Sequence, residues 1–330
     1  MSELPLGAEI LAPARPCAQR EAMPGIDISI QAAPADLESW LGLARRLEAG
    51  GFRALLAADH PGSGASPWPA LGAAAAVTRT LGLGTNVAQA GVREPMHVAA
   101  DAATLDILAP GRVLLGIGAG HTPREWADIG RDRPSPGERA GRLAEFAEAA
   151  AALLQGRTVT AHGQYLTLRE SRLDGLPAGG RVRLIIGGGH PLILRTAARL
   201  ADVVGLSGLG RTLPDGHLHE VRWSQAELHR QLQLVRDEAR QAGRRPVIEA
   251  LVQAVRLTDD RAAATREISA KIAGATEQDV AGTPFLLIGS HGEMAAQLVR
   301  QAEELGITSY VGREQAVPVL EKVAALINRK

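Results

Sequence analysis

The sequence predicts an α/β fold, a (β/α)8 TIM barrel with insertions after its fourth and sixth strands. Three observations predict it. Short apolar runs alternate with amphipathic segments about eight times, the pattern of a parallel sheet with crossover helices. The 330 residues show neither a composition break that would mark a linker nor a sequence-level repeat, so the units belong together. The first strand lacks the GxGxxG turn of a dinucleotide-binding doubly wound sheet, which favours the barrel.

The elements follow in order. Ile26 to Gln31 reads as strand 1. Asp36 is a helix N-cap; Leu37, Trp40, Leu41, Ala44 and Leu47 share one face of a helix that Gly50-Gly51 ends. Phe52 to Ala58 is strand 2, closing at Asp59-His60-Pro61. An alanine-rich helix over Pro69 to Thr80 leads to strand 3, Leu81 to Ala88. Arg93 to His97 opens a helix with Val98, Ala102 and Leu105 inward. Val113 to Ile117, between the Pro110-Gly111 turn and the glycines Gly116, Gly118 and Gly120, suits a strand buried on both faces.

A polar loop with Pro123, Pro134 and Pro136 follows, then a helix over Arg139 to Leu154. Val159 and Tyr165 to Leu168 form a small hairpin outside the repeat. Strand 5 is Val182 to Ile186, its helix Leu192 to Leu200, and strand 6 Asp202 to Leu206. Ser207 to Trp223 reads as a long loop. Leu228, Leu232, Val235 and Ala239 mark a helix before strand 7, Val247 to Val255. Ala262 to Ile272 is helical, as is the stretch with Met294, Leu298, Ala302 and Leu305. Thr308 to Val311 is strand 8, and Val319, Val323 and Ile327 line a closing helix. Residues 1–24 are expected to be a flexible extension ahead of a barrel domain over 25–330.

Composition narrows the function classes. Hydrophobic residues make up 45% and aromatics 3%, so the core must be built from Ala, Leu, Val and Ile. Lys and Arg (36) balance Asp and Glu (36), which argues against a nucleic-acid or anionic-membrane partner held by bulk charge. Cys17 is the single cysteine, so an intrachain disulfide and a cysteine-rich metal site are excluded. The N-terminal stretch lacks the apolar core of a signal peptide, and no run reaches the roughly 18 apolar residues of a membrane span. A cytoplasmic protein is the expectation.

A barrel of this kind carries its site at the C-terminal strand ends. Five consecutive ends are polar or glycine-rich: Asp59-His60, Asn86, Gly118 to Glu125, Gly187 to His190 and the Ser207–Trp223 loop. Gly187-Gly188-Gly189 before a helix suits an anion, or is a flexible turn. His60 is a candidate proton donor or acceptor, or a structural histidine. Asn86 can meet a heteroaromatic edge or be a satisfied buried amide. Asp215-Gly-His217-Leu-His219 has a spacing found in metal sites, on a loop that is a poor metal platform.

The segments Arg53-Ala-Leu-Leu-Ala-Ala-Asp-His60, Leu83-Gly-Thr-Asn-Val87, Ala103 to Gly120, Ile185 to Gly189, and Thr283-Pro-Phe-Leu-Leu-Ile-Gly289 occur in an order and spacing that resembles the bacterial luciferase-like superfamily. The branch it is most similar to is that of the coenzyme F420-dependent oxidoreductases, with FMN monooxygenases as the sister branch. The resemblance implies a homodimeric barrel with a flavin-type ring across its mouth and a small-molecule substrate. By position it implies that His60 faces the ring and that Asn86–Val87 is a non-proline cis peptide behind it. Gly118 and Gly120 would pass the cofactor, with Arg124 pairing with a phosphate or carboxylate, and Gly187, Gly188, Gly189 and His190 would cradle the cofactor phosphate. His121 stands where some deazaflavin dehydrogenases have an acidic glutamate, and is taken with His60 as catalytic. The glycine run lacks the serine that follows it in several FMN monooxygenases, which favours F420. Arg211, His217, His219 and Trp223 are the substrate-side candidates. The readings left open are hydride transfer with F420, FMN-dependent oxygenation, a metal-dependent barrel hydrolase on Asp215, His217 and His219, and a barrel that only binds phosphate.

Overall fold

Eight of the apolar runs become the staves of one closed parallel barrel. The computed structural model describes residues 25–174, 182–213 and 219–328. The expected extension 1–24, Cys17 and His217 lie outside the described residues. The chain runs β1 (Asp27–Ala32), α1 (Leu37–Ala49), β2 (Ala54–Ala57), α2 (Pro67–Val77), β3 (Gly82–Gln89), α3 (Pro95–Leu108) and β4 (Val113–Gly118). It continues through α4 (Pro123–Asp128), α5 (Pro136–Leu154), β5 (Val159–His162), β6 (Thr167–Ser171), β7 (Arg183–Gly187), α6 (Pro191–Leu200) and β8 (Val203–Leu206). Next come β9 (Leu209–Thr212), β10 (His219–Val221), α7 (Gln225–Gln241), β11 (Val247–Leu251), β12 (Ala254–Leu257) and α8 (Arg261–Lys271). The last elements are α9 (Glu277–Gly282), β13 (Leu286–Gly289), α10 (His291–Leu305), β14 (Ile307–Arg313) and α11 (Val317–Ile327). Around the barrel the order is β1-β2-β3-β4-β7-β8-β11-β14, closed by parallel pairing of β14 with β1.

Both faces of the strands are apolar because both are covered. Ala54, Leu56, Leu114, Ile185, Val203 and Val311 fill the barrel interior. Their neighbours Leu55, Leu115, Ile186 and Val204 face the helices in the larger outer core. Helix starts are capped by local chemistry: Asp36 accepts from the Ser39 N–H at 2.9 Å, and Ser135/Glu138 and Ser290/Glu293 form reciprocal capping boxes. Gly116 is required by a close approach, since a Cβ there would stand 2.1 Å from the Thr85 carbonyl oxygen. Between Thr85 and Ala88 the β3–β4 register shifts, and Asn86–Val87, in that shift, is a cis peptide bond.

Three departures from the sequence reading matter for the site. The polar stretch after strand 4 contains α4, opened by Pro123 at its first position, where a missing N–H costs nothing. The Ser207–Trp223 loop is in part an antiparallel hairpin, β9 with β10. Val247–Val255 is not one strand. The Val252 N–H donates to Val311 in the barrel, whereas the Gln253 N–H turns to Phe285 outside it, and β12 then pairs with β13. The barrel therefore carries an insertion after its seventh strand as well as after its fourth and sixth. Among the described residues no helix is long and apolar enough to cross a membrane.

Candidate active site

The C-terminal end of β2 delivers Asp59 and His60. His60 Nδ1–H donates to Glu125 Oε1 at 2.7 Å, across 65 residues of sequence. A carboxylate only accepts, so the proton sits on Nδ1 and the Nε2 edge is turned the other way. Glu125 is buried on α4, and its second oxygen accepts from Gln89 Nε2 at the end of β3. Gln89 is held in turn by its N–H to Asp59 Oδ2 at 3.1 Å. Arg93 grips Asp59 with both prongs, Nε at 2.5 Å and Nη2 at 2.7 Å, a bidentate pair that fixes the β2 end against the start of α3. The ends of β2 and β3 thus converge on one carboxylate that follows β4.

His121, past the end of β4, stands in edge contact with two other imidazoles. Its ring centre lies 5.6 Å from that of His60 and 4.7 Å from that of His219 on β10. The two rings nearest the barrel mouth have opposite proton preferences. The hydrogen bond to Glu125 raises the His60 pKa above its usual value, against the opposing pull of burial. Burial, aided by the charges of His219, His60, Arg133 and Arg139, drives His121 down to about 4. At neutral pH His121 is a neutral imidazole, while His60 is the better proton holder.

The mouth is biased towards positive charge. Arg139 donates from Nη1 to the Gly120 carbonyl, and burial together with nearby Arg133 lowers its pKa to about 10. Arg313, at the end of β14, donates to Gln253 Oε1 at 3.1 Å and is felt electrostatically at His60.

The other expected residues are placed unequally. Asn86 and Val87 lie at the mouth. Gln31 Nε2 donates to the Asn86 carbonyl, and the Val87 methyls pack over Gly118 and Gly187, where a Cβ would stand 2.3 Å and 3.7 Å away. Gly118 accordingly accommodates Val87, and Gly120, at φ +76°, passes beside the Gln89 side chain. Gly187, Gly188 and Gly189 enter α6, where His190 is the N-cap and accepts the Leu192 N–H on Nδ1 at 3.2 Å. Arg124 is exposed and paired with Asp128 at 2.5 Å, one helical turn on. Arg211 is likewise exposed and paired with Glu220 across the hairpin. Trp223 is buried in the core, with its Nε1 lacking a partner. His219 joins the cluster, and His217 is outside the described residues. Among the described residues no group of three or more His, Cys, Asp or Glu is arranged to hold a metal ion. Gln89, Arg93 and Arg139 lie outside the expected strand ends, whereas Asp59 and Glu125 lie within them without an assigned role. Glu125 follows the glycine run by a few positions, and that was the available signal.

An anionic flavin-type cofactor fits these residues. Beyond Gly189 the nearest atom to a would-be Cβ is Gln231 Nε2 at 3.5 Å, so the backbone at the α6 N-terminus is approachable. Gln89 Oε1 is buried without a partner at the same mouth. The approachable Gly189 backbone at the start of α6 suits a phosphate-bearing group.

The family model described as luciferase-like monooxygenase matches residues 22–316. The chain belongs to this family. Its luciferase-like relatives include the F420-dependent glucose-6-phosphate dehydrogenases of Beutenbergia cavernae, 37% identical over 196 residues, 56% of each chain, and of Nakamurella multipartita, 33% identical over 184 residues, 52% of each. The chain spans about half the length of the curated relatives it matches. A solved F420-dependent secondary alcohol dehydrogenase, in complex with an F420-acetone adduct, shares the fold. Its TM-score is 0.71 at 19% identity, over 92% of this chain and 99% of that one.

Proposed function

We propose that this luciferase-like protein is an oxidoreductase that moves a hydride between coenzyme F420 and a small organic substrate at the barrel mouth. One observation carries the reading: His60 and His121, with opposite proton preferences, stand 5.6 Å apart at the strand ends. The relatives named F420-dependent dehydrogenases support it.

When bound, the deazaflavin would accept or give the hydride at a ring carbon. The chain supplies the rest. Val87, over Gly118 and Gly187, forms an apolar floor that excludes water. His60 holds a proton on Nε2 while Nδ1–H stays on Glu125, so the ring can give that proton without turning. His121, neutral, accepts or relays a hydrogen bond from the substrate side. Gly187–Gly189 and His190 at the α6 N-terminus would hold the cofactor phosphate. The same reading has the protein act in the cytoplasm as a homodimer.

The FMN monooxygenase reading draws on the family's own description. Titration of the purified protein with F420 and with FMN, followed by absorbance and fluorescence, separates the two. Saturable F420 binding with no FMN binding supports the deazaflavin enzyme. FMN binding alone, with oxygen uptake when reduced FMN is supplied, overturns it.

A further inference from the structure

Arg133 and Arg139 have an arrangement that the proposed hydride transfer does not use. Arg133 lies in the connection between α4 and α5, and its Nη2 donates to Thr212 Oγ1 on β9 at 3.1 Å. Arg139, in the first turn of α5, is tied to the Gly120 carbonyl, one residue before His121. Each guanidinium is partly buried and each leaves its Nε buried without a partner. The charges that act most strongly on Arg139 and His121 are cationic or imidazole groups: Arg139 feels Arg133, and His121 feels both arginines together with His219 and His60. Like charges held together out of water are costly unless an anion meets them. A guanidinium offers its donors as a planar fork that matches a carboxylate or phosphate edge. Arg133 also joins the strand-4 insertion to the strand-6 hairpin, the two segments whose His121 and His219 rings touch.

We propose that Arg133 and Arg139 form an oxyanion subsite that holds a carboxylate or phosphate carried by the substrate beside His121. The substrate class is therefore an anionic small molecule. This rests on the reading of the mouth as a redox site, but the subsite itself is tested without cofactor.

The experiment is calorimetric titration of the cofactor-free protein with inorganic phosphate, alongside fluorescence titration with F420. Arg133→Gln and the double variant Arg133→Gln/Arg139→Gln are expected to bind phosphate at least tenfold more weakly while F420 affinity stays within twofold. Thr212→Val, which frees Arg133 but keeps its charge, is expected to lose a few-fold and guards against a misfolded arginine variant. Circular dichroism melts verify folding of all three. Phosphate binding that is unchanged in the double variant overturns the subsite. A parallel tenfold loss of F420 affinity assigns the oxyanion to the cofactor and overturns the substrate assignment. If the protein takes no F420 at all, the phosphate result still stands, so the two proposals fail separately.

Discussion

Glu125 Oε1 lies 2.7 Å from His60 Nδ1, and the same buried carboxylate accepts from Gln89 through its other oxygen. The carboxylate therefore sets both the tautomer and the charge of the imidazole at the mouth. His60 carries a raised pKa, so its protonated form is populated below that pKa and lost as pH rises through it. If His60 gives a proton, turnover falls along that limb. Glu125→Gln keeps the shape but removes the charge, and should move the alkaline limb to lower pH. It should cut turnover at pH 7.5 by about 10–100-fold, within the range of general acid catalysis, with F420 affinity within threefold. The pH–rate profiles of the two proteins check this.

His121→Ala should reduce turnover about tenfold or more while leaving cofactor affinity nearly unchanged, because the imidazole faces His60 and His219 rather than the α6 phosphate cradle. Steady-state kinetics with a fluorescence-derived F420 affinity separates the two effects. Unaltered turnover would make the ring structural.

Two glycines expected to serve the cofactor should behave differently. A methyl at Gly118 meets Val87 Cγ2 at 2.3 Å, so Gly118→Ala should destabilise by about 2 kcal/mol through overpacking. At Gly189 the nearest atom is 3.5 Å away, so Gly189→Ala should change stability by less than about 0.5 kcal/mol yet weaken F420 binding several-fold. Thermal melts and cofactor titrations of both variants are the check.

Glu249, on β11, is fully buried and accepts from Ser309 Oγ at 2.8 Å. Burial pushes its pKa up to about 7, Asp27 adds to the rise, and Arg183 and Arg53 oppose it. A group with a raised folded pKa stabilises fully below its unfolded value, near 4.5, and loses that contribution as pH rises through about 7. Glu249→Gln should therefore be close to neutral at pH 5 and stabilising at pH 8 by about 1–3 kcal/mol. Denaturant unfolding at the two pH values reads the difference.

The barrel was legible because its staves are made by local pattern. Val113–Ile117 is apolar from end to end and bounded by turns, and it became β4 within one residue. The seventh strand was overextended because Val252–Gln253 looks continuous in sequence, while the partner of Gln253, Phe285, is fixed only by the tertiary fold. The candidate site was legible where residue type and strand end coincide, as at His60 and His121. Glu125 stood at the edge of the expected Gly118–Glu125 strand end, but its role was not legible because its meaning lies in partners 65 and 36 residues away, and no spacing rule reports such a contact. The resemblance points by position to Arg124 as a partner for a phosphate or carboxylate. On α4 it is Glu125 that turns inward, while Arg124 pairs with Asp128 at the surface.

The division of labour between the two mouth imidazoles is tested most directly by NMR titration of the histidine ring signals in the cofactor-free protein, assigned with His60→Gln and His121→Gln variants. His60 should titrate above 6.5 and His121 at about 4. Two rings titrating together near 6.5 would contradict it, because neither Glu125 nor burial would then be setting the proton at the mouth.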